Sequence, residues 1–157
     1  MSMKVAAIVI TFSCFLLARC ATGPSIYREV VQGPSGADVT AATVTIHVSQ
    51  DPSGNIDVIR LTRVSDPQDV SYLVRITYGG PNRRFMAGPI TLRMAGHDVE
   101  LETETDGTRQ TLQGPVPPEC VEELFAADEV SILYGGRPAL LSAAEIEALR
   151  ALKRSQP

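Results

Sequence analysis

The sequence predicts an α+β fold: an antiparallel β-meander of about six or seven strands with a C-terminal helix packed on the sheet. Three observations carry this expectation. Thr43-Val44-Thr45-Ile46-His47-Val48-Ser49 alternates apolar and polar residues with a period of two, the pattern of a half-buried strand. The turn dipeptides Ala95-Gly96 and Asp106-Gly107 are flanked by segments that match residue for residue across each turn. Ser142-Ala143-Ala144-Glu145 has the form of a capping box and opens a segment with Ile146, Leu149 and Leu152 on one helical stripe.

Taken in order, residues 27–31 form a short edge strand between two breaker clusters, Ala21-Thr22-Gly23-Pro24-Ser25 and Gln32-Gly33-Pro34-Ser35-Gly36. Residues 43–49 place Val44, Ile46 and Val48 on one face. Asp51-Pro52-Ser53-Gly54-Asn55 is a turn, and residues 56–63 return as the partner strand. Its apolar positions change phase between Val58 and Ile59, which predicts a bulge or burial on both faces there. After a loop through Ser65-Asp66-Pro67, Val70, Tyr72, Val74, Ile76 and Tyr78 share one face of the next strand.

A two-residue turn at Ala95-Gly96 pairs Met94 with His97, Arg93 with Asp98, Leu92 with Val99 and Ile90 with Leu101. Apolar residues meet apolar residues and opposite charges meet, so the register is self-consistent. Turning again at Asp106-Gly107 pairs Glu104 with Arg109 and Leu101 with Leu112. The two turns predict one core face of Ile90, Leu92, Val99, Leu101 and Leu112. Prolines at 115, 117 and 118 close the meander, residues 119–126 read as a short helix and residues 129–134 as a further strand. The last helix carries Glu145 and Glu147 early and Arg150, Lys153 and Arg154 late, which suits its dipole.

Before the domain comes a different kind of segment. Lys4 precedes an uncharged apolar run over residues 5–17, whose thirteen residues suit a secretory signal. They fall short of the roughly 20 that a spanning helix needs. The run ends in Leu17-Ala18-Arg19-Cys20, which resembles the lipobox of bacterial lipoproteins. Leu17, Ala18 and Cys20 match that motif, and Arg19 stands where it has a small residue. Cys14 follows Thr11-Phe12-Ser13 and lacks the leucine. The breaker clusters and strand pattern predict a tether to residue 38 and a single β-rich globular domain over residues 39–157. The lipobox resemblance covers only the leader and implies a signal peptide over residues 1–19 and diacylglycerol on Cys20. It implies a chain held by its lipid in the bacterial envelope. Ala21, in place of an aspartate, implies export to the outer membrane, facing the periplasm. An ordinary signal peptide, or an uncleaved amino-terminal anchor, is the alternative.

The chain has 14 basic and 18 acidic residues, a net charge of −4. Loss of Lys4 and Arg19 with the leader leaves twelve against eighteen, or −6. An acidic chain without a basic block argues against nucleic acid as a partner, and against electrostatic adhesion to anionic lipid. Membrane contact is therefore expected through the lipid anchor. Once Cys14 has left and Cys20 is lipidated, Cys120 stands alone as a small buried apolar residue. If Cys20 is not lipidated, a Cys20–Cys120 disulfide becomes possible in an oxidising compartment. No cysteine spacing suggests zinc, and no metal or other cofactor is expected.

No catalytic residue is assigned. His47, beside Thr45 and Ser49, reads as a solvated strand residue, and His97 as a turn residue next to Asp98. Asp98, Glu100, Glu102 and Glu104 alternate on one strand, with same-face carboxylates about 7 Å apart, too far for one calcium ion to gather them. They read as a solvated face partly neutralised by Arg93 and Arg109. One internal echo remains: Val74-Arg75-Ile76-Thr77-Tyr78-Gly79-Gly80 and Val130-Ser131-Ile132-Leu133-Tyr134-Gly135-Gly136 share Val-x-Ile-x-Tyr-Gly-Gly. Each is followed by arginine, Arg83 and Arg84 after the first and Arg137 after the second. If both turns end neighbouring strands at one edge, Arg83, Arg84, Arg137, Tyr78 and Tyr134 frame an anion site, unless one of the protein's own carboxylates fills it. The functional expectation is thus a non-enzymatic envelope lipoprotein that docks a protein partner or helps an assembly. The alternative is a binding module for an anionic envelope ligand, built on those arginine-bearing turns.

Overall fold

Among the described residues, ten strands form two antiparallel sheets where one meander was expected. The structure is a computed structural model that describes residues 25–32, 38–66, 69–81, 88–105 and 110–155. The expected signal segment 1–19, Cys20, Asp106-Gly107, Arg109, Arg83 and Arg84 lie outside these residues. The strands are β1 (Ile26–Gln32), β2 (Asp38–Gln50), β3 (Ile56–Ser65), β4 (Val70–Gly79), β5 (Ile90–Met94), β6 (His97–Leu101), β7 (Glu104–Thr105), β8 (Thr111–Pro115), β9 (Val130–Tyr134) and β10 (Arg137–Leu140). The helices are α1 (Pro118–Ala126) and α2 (Ala143–Arg154). One sheet has the order β1-β2-β3-β4-β8-β7 and the other β10-β9-β5-β6. The antiparallel sheet with a C-terminal helix packed on it stands; the second sheet is the difference. Strand β1 lies within the stretch assigned above to the tether, and pairs with β2 along its whole length.

The first predicted hairpin is present in the expected register, with Met94 opposite His97 and Ile90 opposite Leu101. Ala95 and Gly96 both have positive φ, 46° and 88°, as the tight turn requires. The second predicted pairing fails: Leu112 lies opposite Thr105 and Ile76, not Leu101, and Glu104 lies opposite Gln113. The chain leaves the smaller sheet at Leu101, crosses through Glu102 and Thr103, and enters the larger sheet at Glu104. Gly114 allows that crossing. A Cβ there would sit 3.0 Å from the Glu102 carbonyl oxygen and 3.0 Å from the Leu101 Cβ. The crossing also breaks the expected acidic strip, leaving Asp98 and Glu100 on one sheet and Glu104 on the other.

The phase change lies in β2 and not in its partner. Thr45 is opposite Arg60 and His47 is opposite Ile59, so Ile46 is the extra residue of a bulge. Before the bulge Ala42 and Val44 face the core; after it His47 and Ser49 lie on that side. Val48, expected beside Val44 and Ile46, is consequently 57% exposed.

One continuous apolar cluster joins the elements. Ile46, Ile59, Leu61 and Ile76 come from the larger sheet, Ile90, Leu92, Met94 and Ile132 from the smaller, and Leu124, Leu149 and Leu152 from the helices. Helix α2 starts with the expected capping box between Ser142 and Glu145, and lies against β2 and β3. It also holds α1: Arg150 donates to the carbonyls of Phe125 and Ala127 at 3.3 and 3.0 Å, where α1 has no further turn to satisfy them. Phe125 meets Tyr72 edge to face, with ring centroids 4.9 Å apart. Cys120 is a free, partly buried thiol packed against this core. Burial, with Glu119 and Glu123 nearby, pushes that thiol above its ordinary pKa, so it is a poor nucleophile.

Candidate functional site

The two Tyr-Gly-Gly segments end in different sheets, so they are not neighbouring strands. Their tyrosines nevertheless approach one place. In each echo the valine, isoleucine and tyrosine are all buried, so the alternation points both rings into the shared core. Tyr78 and Tyr134 are each 4% exposed, and neither opens toward a groove as expected. Opposite Tyr78 on β3 stands Asp57, a carboxylate 4% exposed on the core side of the sheet.

Asp57 is the carboxylate of the protein that meets Arg137. Tyr134 donates its hydroxyl to Asp57 Oδ2 at 2.9 Å, and Arg137 Nη1 lies 3.7 Å from the same oxygen. Arg137 reaches it because Gly135-Gly136 is a two-residue hairpin that places Arg137 directly opposite Tyr134. The same hairpin makes residues 137–140 a strand, an element the sequence reading stopped short of. The Gly-Gly dipeptide was its signal. Ser49, brought to the core side by the bulge, also hydrogen-bonds Tyr134. Asp57 Oδ1 and Tyr78 Oη are buried without a hydrogen-bond partner among the described residues.

The electrostatics define what this cluster can do. Burial pushes the Tyr134 pKa from 10.0 up to about 12; the Ser49 hydrogen bond opposes the shift, and the Asp57 carboxylate adds to it. Tyr134 therefore stays protonated at neutral pH and acts as a fixed donor rather than a base. Replacing it with phenylalanine should cost about 1.5–3 kcal/mol, the range for a hydrogen bond to a charged group. The pH dependence has a definite sign. A group whose folded pKa is raised stabilises fully below its unfolded value and loses that contribution as pH climbs to the folded one. Wild-type stability should thus fall between about pH 10 and 12 with an extra slope of at most about 1.4 kcal/mol per pH unit. Tyr134→Phe should lack it. Parallel declines in urea unfolding across that window would show that Tyr134 ionises freely.

A second polar contact lies at the other side of the bulge. His47 Nδ1 is 2.8 Å from Glu145 Oε1, so His47 joins the sheet to the capping box of α2 and is not the solvated residue expected. Glu145 Oε2 accepts from the Ser142 amide at 2.7 Å and its hydroxyl at 2.8 Å. Burial raises the Glu145 carboxyl, but the Ser142 bonds and His47 outweigh it, so its pKa is lowered. His97 lies 3.3 Å from Glu123, an ion pair when the imidazole is protonated. Among the described residues no group of three or more His, Cys, Asp or Glu is placed to hold a metal ion.

The two glycine pairs have different causes. Gly135 and Gly136 have φ of 52° and 73° and open space around them, so the turn alone requires them. Gly80 has φ of 138° and packs on the β2–β3 turn. There Asp51 Oδ1 accepts from the amides of Ser53 and Asn55, and Asn55 Nδ2 donates to Asp51 Oδ2 at 2.8 Å. Comparison of the chain with protein-family models, with curated proteins and with solved structures found no match.

Proposed function

We propose that this protein is a lipid-anchored envelope lipoprotein whose β-rich domain is a non-enzymatic docking module. The observation that carries the reading is the apolar run ending in Leu17-Ala18-Arg19-Cys20, with the first strand beginning only six residues after that cysteine. Two features of the domain agree with docking. Strand β1 closes one side of the larger sheet, and its seven residues leave an edge with no partner strand among the described residues. Tyr27 and Val30 on it are 62% and 68% exposed. An edge of that length accepts an extended segment of a partner through main-chain hydrogen bonds. Tyr134 and Arg137 both meet Asp57 Oδ2, and among the described residues each histidine contacts a carboxylate of a helix rather than a serine or cysteine.

Cys20→Ser should abolish lipid attachment and leave an uncleaved precursor, because serine has no sulfur to form the thioether at the motif position. Cells labelled with a fatty-acid analogue test this: wild type should carry label and the variant none. Equal label in both would end the anchor reading. Affinity capture from solubilised membranes should then recover an envelope protein with wild type. Capture should weaken when Val30→Lys places a charge on the free edge, and unchanged capture would exclude β1 as the docking edge.

The second reading, an anionic ligand at the arginine-bearing turns, has less support at Arg137, whose charge Asp57 already meets.

A further inference from the structure

The outward face of the larger sheet carries a different pair of arginines. Arg60 on β3 and Arg75 on β4 are direct cross-strand partners, and they alternate with the core residues Ile59, Leu61, Val74 and Ile76. Like charges placed directly opposite destabilise a sheet. The chain has an excess of acids, and Arg93, Arg137, Arg150 and Arg154 each sit by a carboxylate. Arg60 and Arg75 form no such pair among the described residues. Their donors meet neutral oxygens instead: Arg60 Nη1 reaches Thr77 Oγ1 at 3.4 Å, and Arg75 Nε reaches Gln113 Oε1 at 3.1 Å. Gln113 is itself fixed by donating to Glu104 at 2.6 Å. The two guanidinium groups line an open groove of about 460 Å³ together with Ser25, Tyr27, Glu29, Thr43 and Thr45.

We propose that this groove is a phosphate subsite, with one phosphate held between Arg60 and Arg75 beside the exposed Tyr27 ring. Two planar forks from adjacent strands can each take a separate edge of a tetrahedral dianion, whereas a carboxylate offers one planar edge. The threonine hydroxyls supply further donors. Glu29 belongs to the cross-strand row of Ala41, four residues along β2 from the row of Thr45 and Arg60, and it disfavours a polyanion that extends past β1. The subsite rests on the sheet alone. The anchor reading bears only on the source of the phosphate: Ser25 lines the groove five residues after Cys20, a span of at most about 18 Å, within reach of a lipid headgroup.

The test is thermal unfolding of the full chain in neutral detergent at fixed ionic strength, with inorganic phosphate, dihexanoyl phosphatidic acid (a phosphomonoester) below its micellar concentration, or acetate. Phosphate should raise the Tm in proportion to the logarithm of its concentration, and acetate should not. Arg60→Gln and Arg75→Gln should each weaken that response by about tenfold or more while raising the Tm in phosphate-free buffer, since each removes the opposed charge. Arg93→Gln, on the other sheet, should leave the response intact. A stronger response to the lipid assigns a headgroup, and a stronger response to the free ion assigns a soluble phosphate; both support the subsite. No response to either probe, an equal response to acetate, or an unchanged response in the arginine variants overturns it. Lipid labelling of Cys20→Ser decides the anchor separately, so neither failure carries the other.

Discussion

Leu101→Ala should lower stability by about 2–5 kcal/mol, the range for a leucine removed from a packed core. Leu101 is 2% exposed and ends β6, where the chain leaves one sheet for the other. It pairs with Ile90 and packs over Gly114, so its side chain helps fill the corner between the sheets. A corner assembled from two sheets relaxes less easily than a helix end, so a cavity there persists. Urea unfolding with an unchanged m-value reads the loss. A change below about 0.5 kcal/mol, the level of a surface substitution, would mean that the two sheets do not meet at Leu101.

Gly80→Ala should be destabilising by about 2–4 kcal/mol, and Gly136→Ala by only about 1–2 kcal/mol. Both glycines have positive φ, so both substitutions strain the backbone. Only at Gly80 does the new Cβ meet an obstacle, 2.6 Å from Asn55 Oδ1 and 2.7 Å from Asn55 Cα. Asn55 is 2% exposed and tied to Asp51, so it has nowhere to move. Equal losses at the two positions would show that the turn conformation, and not the contact with Asn55, sets the requirement for glycine at 80.

Local features were legible in the sequence where the residues that decide them are close in the chain. The Met94–His97 register followed from charge and apolar matching across two turn residues, and α2 from its capping box and stripe. The mismatch at Val58 and Ile59 is visible in the sequence as a bulge or two-faced burial of that strand, but the extra residue lies in β2. A phase change in β3 and an extra residue in β2 give the same mismatch when only the pattern is read. The consequence was large, because a shift of one residue moves every later side chain to the opposite face. It brought His47 to Glu145 and Ser49 to Tyr134, and it exposed Val48.

The candidate residues divide the same way. Tyr78, Tyr134 and Arg137 were singled out by an echo in the sequence, and the fold gathers them at one end of the core. Asp57 was not, because an aspartate between Ile56 and Val58 reads as the outward, polar position of a strand, and only its position opposite Tyr78 shows that it is buried. Arg60 and Arg75 gave no signal either, since they are fifteen residues apart and meet only through the β3–β4 register.

By itself the sequence determined the acidic charge, the alternation of the long strands, one hairpin register and the last helix. Each depends on covalent neighbours or on a short-range period. Tertiary structure alone decided that β8 pairs with β4, that β9 pairs with β5, and hence that there are two sheets. Those pairings join segments more than 30 residues apart, and many strands offer the same backbone donors and acceptors. Which one is chosen is settled by the burial of Leu101, Leu112 and the two tyrosines in a common core, a sum over the whole chain that no local stretch contains.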